Sequence, residues 1–347
     1  MAVTSATDSV LVVGPSWVGD MVMAQSLFRL LKTRVPDRAI DVLAPGWSLP
    51  IVARMPEVRQ GIALDTAHGE LGIGKRRAIA RTLGDYSQAI VLPRSLKAAL
   101  VPFFRGVPRR TGFRGESRFW LINDTRPFDK TVLDQTVKRF AFLGLERGEA
   151  LPGVLPNPSL EVDTERQQAI VASLELSLDR PVVAFMPGAE YGPAKCWPLD
   201  YFAELAARLD AAGYAVWVLG SAKDQPAGDH IAAASPAVNL CGRTSLADAI
   251  DVLALAEQAV SNDSGLMHIA AAVGTHVHGI YGSSSPAFTP PLTAARTIHH
   301  LDIECSPCFK RECPLGHLKC LRDIDPLFVA EAVDNASRAL KGSIQPQ

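Results

Sequence analysis

The chain has 347 residues, 48% of them hydrophobic and 20% charged, a balance that excludes an intrinsically disordered protein or a coiled coil and is large enough for two domains. Thirty-five basic against thirty-six acidic side chains leave a formal charge of −1, so no global field recruits nucleic acid, and any bound anion must be held by a local group. No apolar stretch approaches the ~20 residues that span a bilayer, and no basic segment followed by an apolar one opens the chain, so the expectation is a cytoplasmic protein.

Apolar runs alternating with helical periods predict parallel sheets covered by helices on both faces, an α/β fold. Val10 to Val13 reads as a first strand, and the turn from Gly14 to Asp20 leads into a helix lasting to about Lys32. Strands at Ala39 to Ala44 and Gln88 to Leu92 follow, with helical periods near Lys75 to Leu83, Ser95 to Phe104 and Leu133 to Leu143. Between Leu151 and Asp163 the sequence LPGVLPNPSLEVD carries three prolines and a glycine without helical period, which suits an extended connector. The expected division is therefore a domain at 1–155, a second at 156–325, and a C-terminal helix and tail at 326–347. In the second domain, strands are expected at Val182 to Met186, Ala215 to Leu219, Gln258 to Ser261 and Val277 to Ile280. The intervening helices are Thr164 to Leu174, Leu199 to Ala212, Ser245 to Leu255 and Gly265 to Val273. Two doubly wound domains are the simplest architecture.

In open parallel sheets ligands sit outside the carboxyl ends of the strands, where helix N-termini face an anion. Three segments have that form. Gly14 to Asp20 ends with a carboxylate at a helix start, which is either a favourable dipole partner or a general base. Ser261 to His268 offers Asp263, Ser264, Gly265 and His268 at one helix start, where a phosphate or nucleotide would sit; His268 alone would be an ordinary structural histidine. Pro187 to Pro198 is a loop held open by Gly188 and its prolines, with Lys195 as a cation able to meet a diphosphate. The string from Gly69 to Arg76 fits G-x-x-x-x-G-K, yet Arg76 stands where a phosphate-binding loop needs Ser or Thr for magnesium.

Cys305, Cys308, Cys313 and Cys320 fall in the arrangement C-x2-C-x4-C-x6-C around His317. Four thiols over so short a span suit a structural zinc ion, free thiols or a disulfide, and the spacing leaves these open. Arg94, Lys97, Arg105, Arg109, Arg110, Arg114 and Arg118 are interleaved with Phe103, Phe104, Phe113, Phe119 and Trp120. This is either a solvated face over core aromatics or a patch for an acidic amphiphile.

The strings GPSWVGDMVMAQSL at Gly14 to Leu27, PGAEYGPAKCWP at Pro187 to Pro198 and SNDSGLMHIAAA at Ser261 to Ala272 resemble the lipopolysaccharide heptosyltransferases of glycosyltransferase family 9. Within that family they are most similar to the branch that adds the second heptose. YGSSSPAFTPPL at Tyr281 to Leu292 is similar to the same family, and the resemblance runs from about Val10 to Leu340. It implies a GT-B glycosyltransferase whose two Rossmann-like domains face each other across a cleft, the first binding the acceptor and the second ADP-heptose. The implied reaction is inverting transfer of L-glycero-D-manno-heptose from ADP-heptose to the first heptose of the Kdo2-lipid A inner core. Transfer to a different core position and non-catalytic nucleotide-sugar binding are the alternatives.

By this resemblance Asp20 falls on the catalytic aspartate, and Gly188, Lys195, Asp263, Ser264, Gly265 and His268 fall in the donor site. Lys97, Arg94 and Arg110 are the expected acceptor contacts. No cofactor is expected to be required, and the partners are the donor and the heptosyl-Kdo2-lipid A acceptor, with at most peripheral contact with the inner membrane. The family does not decide the role of the cysteines.

Overall fold

In the computed structural model, which describes residues 8–66 and 70–342, Ser9–Val13 forms β1 with all five residues buried. A strand covered on both faces does not alternate polar with apolar residues, which is why Val10 to Val13 is apolar throughout. The strands that follow are β2 (Ala39–Ala44), β3 (Gln60–Ala63), β4 (Gln88–Val91), β5 (Arg109–Phe113) and β6 (Asp124–Arg126). They form one parallel sheet in the order β3-β2-β1-β4-β5-β6. The second sheet comprises β7 (Val182–Met186), β8 (Ala215–Val218), β9 (Val238–Asn239), β10 (Gln258–Asn262), β11 (His276–Tyr281) and β12 (Arg296–His300). Its order is β12-β11-β10-β7-β8-β9, again wholly parallel.

Read from the opposite edge, the second order repeats the first. Both sheets are wound 3-2-1-4-5-6, and each reverses direction between its first and fourth strands, β1 and β4 in one and β7 and β10 in the other. That reversal opens a crevice at the carboxyl ends of those strands, the usual ligand position in such sheets. The chain divides between Ser159 and Leu160 into two compact units, one sheet in each.

Leu11, Leu43 and Val91 pack with Leu100 and Val101 in the first core, and Phe185, Trp197, Phe202 and Val260 form the second. The helix Pro326–Gly342 adds Val329 and Val333 to the second core, where the Gln258 amide donates to the Val333 carbonyl at 3.0 Å and to Ser337 Oγ at 2.6 Å. It therefore belongs to the second unit. No helix among the described residues is long and apolar enough to cross a membrane.

Much of the basic run serves the first unit's own fold. Arg118 is 1% exposed and donates to the carbonyls of Pro93, Ser95 and Phe113. Arg109 bridges Asp124 and Glu146, and Arg105 pairs with Asp85. Asp124 also accepts from Thr111, Arg126 and Arg147. Burial alone would raise its pKa, but the hydrogen bonds from Arg147, Thr111 and Arg109 and the charge of Arg126 outweigh that and hold it at about 2.

Candidate active site

In the first unit the chain leaves β1 through Gly14 and enters the helix Val18–Arg34, whose cap residue Trp17 is extended and accepts from the Met21 N–H through its carbonyl. Asp20 is half-buried in the first turn, where the positive end of the helix dipole favours a carboxylate. At the carboxyl ends of β1 to β4 lies a cavity of about 440 Å³, to which the same turn contributes Gly14 and Ser16. Lys97 and Arg76 also line it.

Lys97 is the one expected acceptor residue that the cavity receives. Arg94 is exposed between two lining residues, Pro93 and Ser95, and its guanidinium reaches the Arg114 carbonyl and the face of Phe128. Arg110 is turned elsewhere: its guanidinium donates to the carbonyls of Leu121 at 2.7 Å and Val107 at 2.6 Å and lies over Phe103. Arg76 was legible only as the residue that spoils a phosphate-loop string, whose Gly69 lies outside the described residues. It is 4% exposed, donates to the Leu71 carbonyl at 2.8 Å, and burial lowers its pKa.

In the second unit the loop after β7 and the helix start after β10 meet at the strand-order reversal. Lys195 Nζ lies 2.5 Å from Asp263 Oδ2, with the two side chains 18% and 5% exposed. The ammonium also sits 5.2 Å above the Tyr191 ring, which Arg311 shares at 5.2 Å. Asn262 anchors both ends of the loop, its amide donating to the Pro187 carbonyl at 2.6 Å and its Oδ1 accepting from the Trp197 N–H at 3.0 Å. Trp197 is buried edge-on against Phe202, and its indole N–H donates to the Ile324 carbonyl.

Gly188 permits a close approach. A Cβ there would stand 2.4 Å from Asp224 Oδ1, and that carboxylate is fixed by the Ser221 backbone N–H and hydroxyl, each at 2.8 Å. At the helix Gly265–Ala272, Ser264 is the cap, accepting from the Met267 N–H at 3.4 Å and touching Ser261 Oγ at 3.2 Å. The cap leaves the first backbone N–H groups of the helix for an anion. His268, one turn in, is 4% exposed, and burial pushes its pKa down to about 4 against the smaller opposing pull of Asp263.

Ser283, without a role in the sequence analysis, is tied to the loop of Lys195 by its N–H, which donates to the Ala194 carbonyl at 3.2 Å. The hydroxyls of Ser283 and Ser284, in the loop after β11, are buried without a hydrogen-bond partner among the described residues. Such hydroxyls are costly unless something polar reaches them, and Ser283 lines a small cavity that it shares with Ala194 and Cys305. The Gly282-Ser-Ser-Ser run is visible in the sequence, but the burial of Ser283 and Ser284 is not.

Two units wound in this way have the two-domain architecture of the GT-B glycosyltransferases. The family model described as glycosyltransferase family 9 (heptosyltransferase) matches residues 76–319, and the chain belongs to that family. It is 44% identical to lipopolysaccharide heptosyltransferase 2 of Escherichia coli K12, over 94% of this chain and 97% of that one. It is 42% identical to lipooligosaccharide heptosyltransferase 2 of Haemophilus influenzae, over 94% and 98% respectively. The solved structure of E. coli ADP-heptose lps heptosyltransferase II superposes with a TM-score of 0.85 at 40% identity, covering 96% of this chain and 99% of that one. The family and fold expected from the sequence motifs are those found.

Proposed function

We propose that this enzyme transfers L-glycero-D-manno-heptose from ADP-heptose to the first heptose of a Kdo2-lipid A inner core, working at the cytoplasmic face of the inner membrane. The first unit takes the acceptor and the second the donor. The observation that carries the donor half is the Lys195–Asp263 pair beside the capped start of the helix Gly265–Ala272. The similarity to the heptosyltransferase 2 enzymes over nearly the whole chain supports the choice of sugar and acceptor.

In this reading an acceptor hydroxyl attacks the anomeric carbon while Asp20 takes its proton, and the bond from that carbon to the β-phosphate oxygen breaks with its electron pair leaving on ADP. The anomeric centre inverts in this single displacement. Charge grows on the β-phosphate, where the Lys195 ammonium and the N–H groups near Ser264 and Gly265 stabilise it. Asp263 holds Lys195 in place, and neutral His268 offers a hydrogen bond rather than a charge. A phosphate leaving group needs little protonation, so one carboxyl suffices where a glycosidase uses two. Lys97 and Arg76, with Arg94 at the rim, meet the acidic groups of the acceptor.

The test is ADP release from ADP-heptose in the presence of acceptors carrying zero, one or two heptoses on Kdo2-lipid A. Release only with the one-heptose acceptor is expected. Release with another acceptor instead would move the enzyme to a different core position, and donor binding without release would make it a nucleotide-sugar-binding protein.

A further inference from the structure

The segment from Leu301 to Leu318 has almost no regular secondary structure, yet it is tied closely to the loop that presents Lys195. Ser306 Oγ donates to the Gly282 carbonyl at 2.7 Å, and the Phe309 N–H donates to the Ser283 carbonyl at 2.7 Å. The Tyr191 hydroxyl donates to the Phe309 carbonyl at 2.8 Å, and the Ala194 N–H donates to the Arg311 carbonyl at 3.0 Å. Gly192 sits so close that a Cβ would lie 2.6 Å from the same Arg311 oxygen, and its φ of +150° belongs to a backbone region that glycine favours. Leu301, Ile303 and Leu318 pack the two ends of this segment against the second core, while Phe309 and Leu315 between them are exposed.

Cys305, Cys308, Cys313 and Cys320, together with His317, line one small cavity of about 20 Å³, room for a single ion or water. The fold has thus gathered all four thiols of the C-x2-C-x4-C-x6-C string, while Cys196 and Cys241 stay outside. His317 Nδ1 is occupied by the Lys319 N–H at 3.0 Å, which leaves the four sulfurs as the donor set. All four are free thiols, and no group of three or more His, Cys, Asp or Glu side chains among the described residues stands ready-made to hold a metal ion. The sulfurs must therefore close on the cavity centre by side-chain rotation when an ion enters, as expected where metal binding and local folding are coupled.

We propose that Cys305, Cys308, Cys313 and Cys320 bind one thiophilic divalent cation tetrahedrally, zinc or ferrous iron, and that the resulting knuckle fixes the loop presenting Lys195. An all-sulfur tetrahedral site suits these two ions above others. Binding replaces four S–H bonds with four metal–sulfur bonds and releases up to four protons, with no change of oxidation state. The positioning role rests on the donor reading of Lys195; the metal site does not.

The test starts with the whole protein purified anaerobically under reducing conditions. Elemental analysis is expected to find one equivalent of zinc or iron per chain, and which ion it is separates the two sources. After the metal is stripped, cobalt(II) is expected to restore one equivalent with the near-ultraviolet charge-transfer and intense red bands of tetrahedral thiolate coordination. Cys196→Ser and Cys241→Ser should keep the metal, while Cys308→Ser and Cys313→Ser lose it. Stripping should raise the ADP-heptose KM by about 10- to 100-fold, the range for a misplaced site loop, with the acceptor KM nearly unchanged. A reduced protein that takes up none of the three ions, or a Cys308→Ser/Cys313→Ser double variant that retains its equivalent, would overturn the site. Equal donor KM for loaded and stripped protein would overturn the positioning role. Metal uptake is read without any turnover, so its failure is distinct from failure of the proposed transfer.

Discussion

Replacing Lys195 by methionine keeps most of the side chain's bulk and removes its charge. With the ammonium and a phosphate oxygen about 4 Å apart and an effective dielectric of about 20, their interaction is about 4 kcal/mol, close to three decades in rate. Lys195→Met should therefore lower kcat/KM for ADP-heptose by about 10³-fold. The same change strands the Asp263 carboxylate, whose side chain is only 5% exposed. Removing one partner of a buried pair costs about 3–5 kcal/mol, so the single variant should also lose stability. Adding Asp263→Asn removes the second charge and should recover most of that stability while leaving the activity low. Urea unfolding of the single and double variants, beside initial rates of ADP release, separates the two effects. A single variant within tenfold of the unaltered enzyme, or a double variant that regains activity along with stability, would refute the assignment of Lys195 to the leaving diphosphate.

Gly188→Ala should displace the Asp224 carboxylate that stands 2.4 Å from the new Cβ, raising the donor KM about tenfold at nearly unchanged kcat, as read from initial rates. Trp197→Ala should cost about 3–5 kcal/mol in urea unfolding, because a fully buried ring and its hydrogen bond to Ile324 are lost together. Asp124 is held at about 2 when folded and titrates near 3.9 when unfolded, so its contribution of about 2–3 kcal/mol is complete above pH 4 and disappears as pH falls through 2. Asp124→Asn should flatten that part of the acid-unfolding curve. His268 stays neutral down to about pH 4 when folded, whereas an unfolded histidine takes a proton near 6.5. The unfolded chain binds the extra proton in between, so stability falls as pH drops from 6.5 to 4, and His268→Gln should lessen that slope in a pH series of melting curves, the remainder coming from His276, His278 and His299, which burial also holds neutral.

The strands that sequence reading finds are those buried on both faces, such as β1, β7 and β10, where the apolar run is itself the consequence of burial. β5 escapes notice because Arg109-Arg110-Thr111 looks like a solvated basic face. The charges are instead absorbed by Asp124, Glu146 and backbone carbonyls. β12 is likewise hidden, since Arg296 to His300 is polar and lies at a sheet edge. The loops carrying Asp20, Lys195 and His268 were legible because glycine turns at strand ends have a local signature. The ion pair between Lys195 and Asp263 was not, because it spans 68 residues and exists only where β7 and β10 are neighbours. The same limit applies to Arg76, whose place in the cavity depends on how the helix Ile73–Thr82 packs rather than on the string around it.

The most direct measurement is the mass of the lipid product when purified enzyme, ADP-heptose and one-heptose Kdo2-lipid A are incubated together, with Asp20→Asn of matched thermal stability alongside. Gain of one heptosyl residue with the unaltered enzyme, lost in the variant, is the expected result. An acceptor of unchanged mass with the well-folded unaltered enzyme, or full conversion by Asp20→Asn, would contradict transfer with Asp20 as the base.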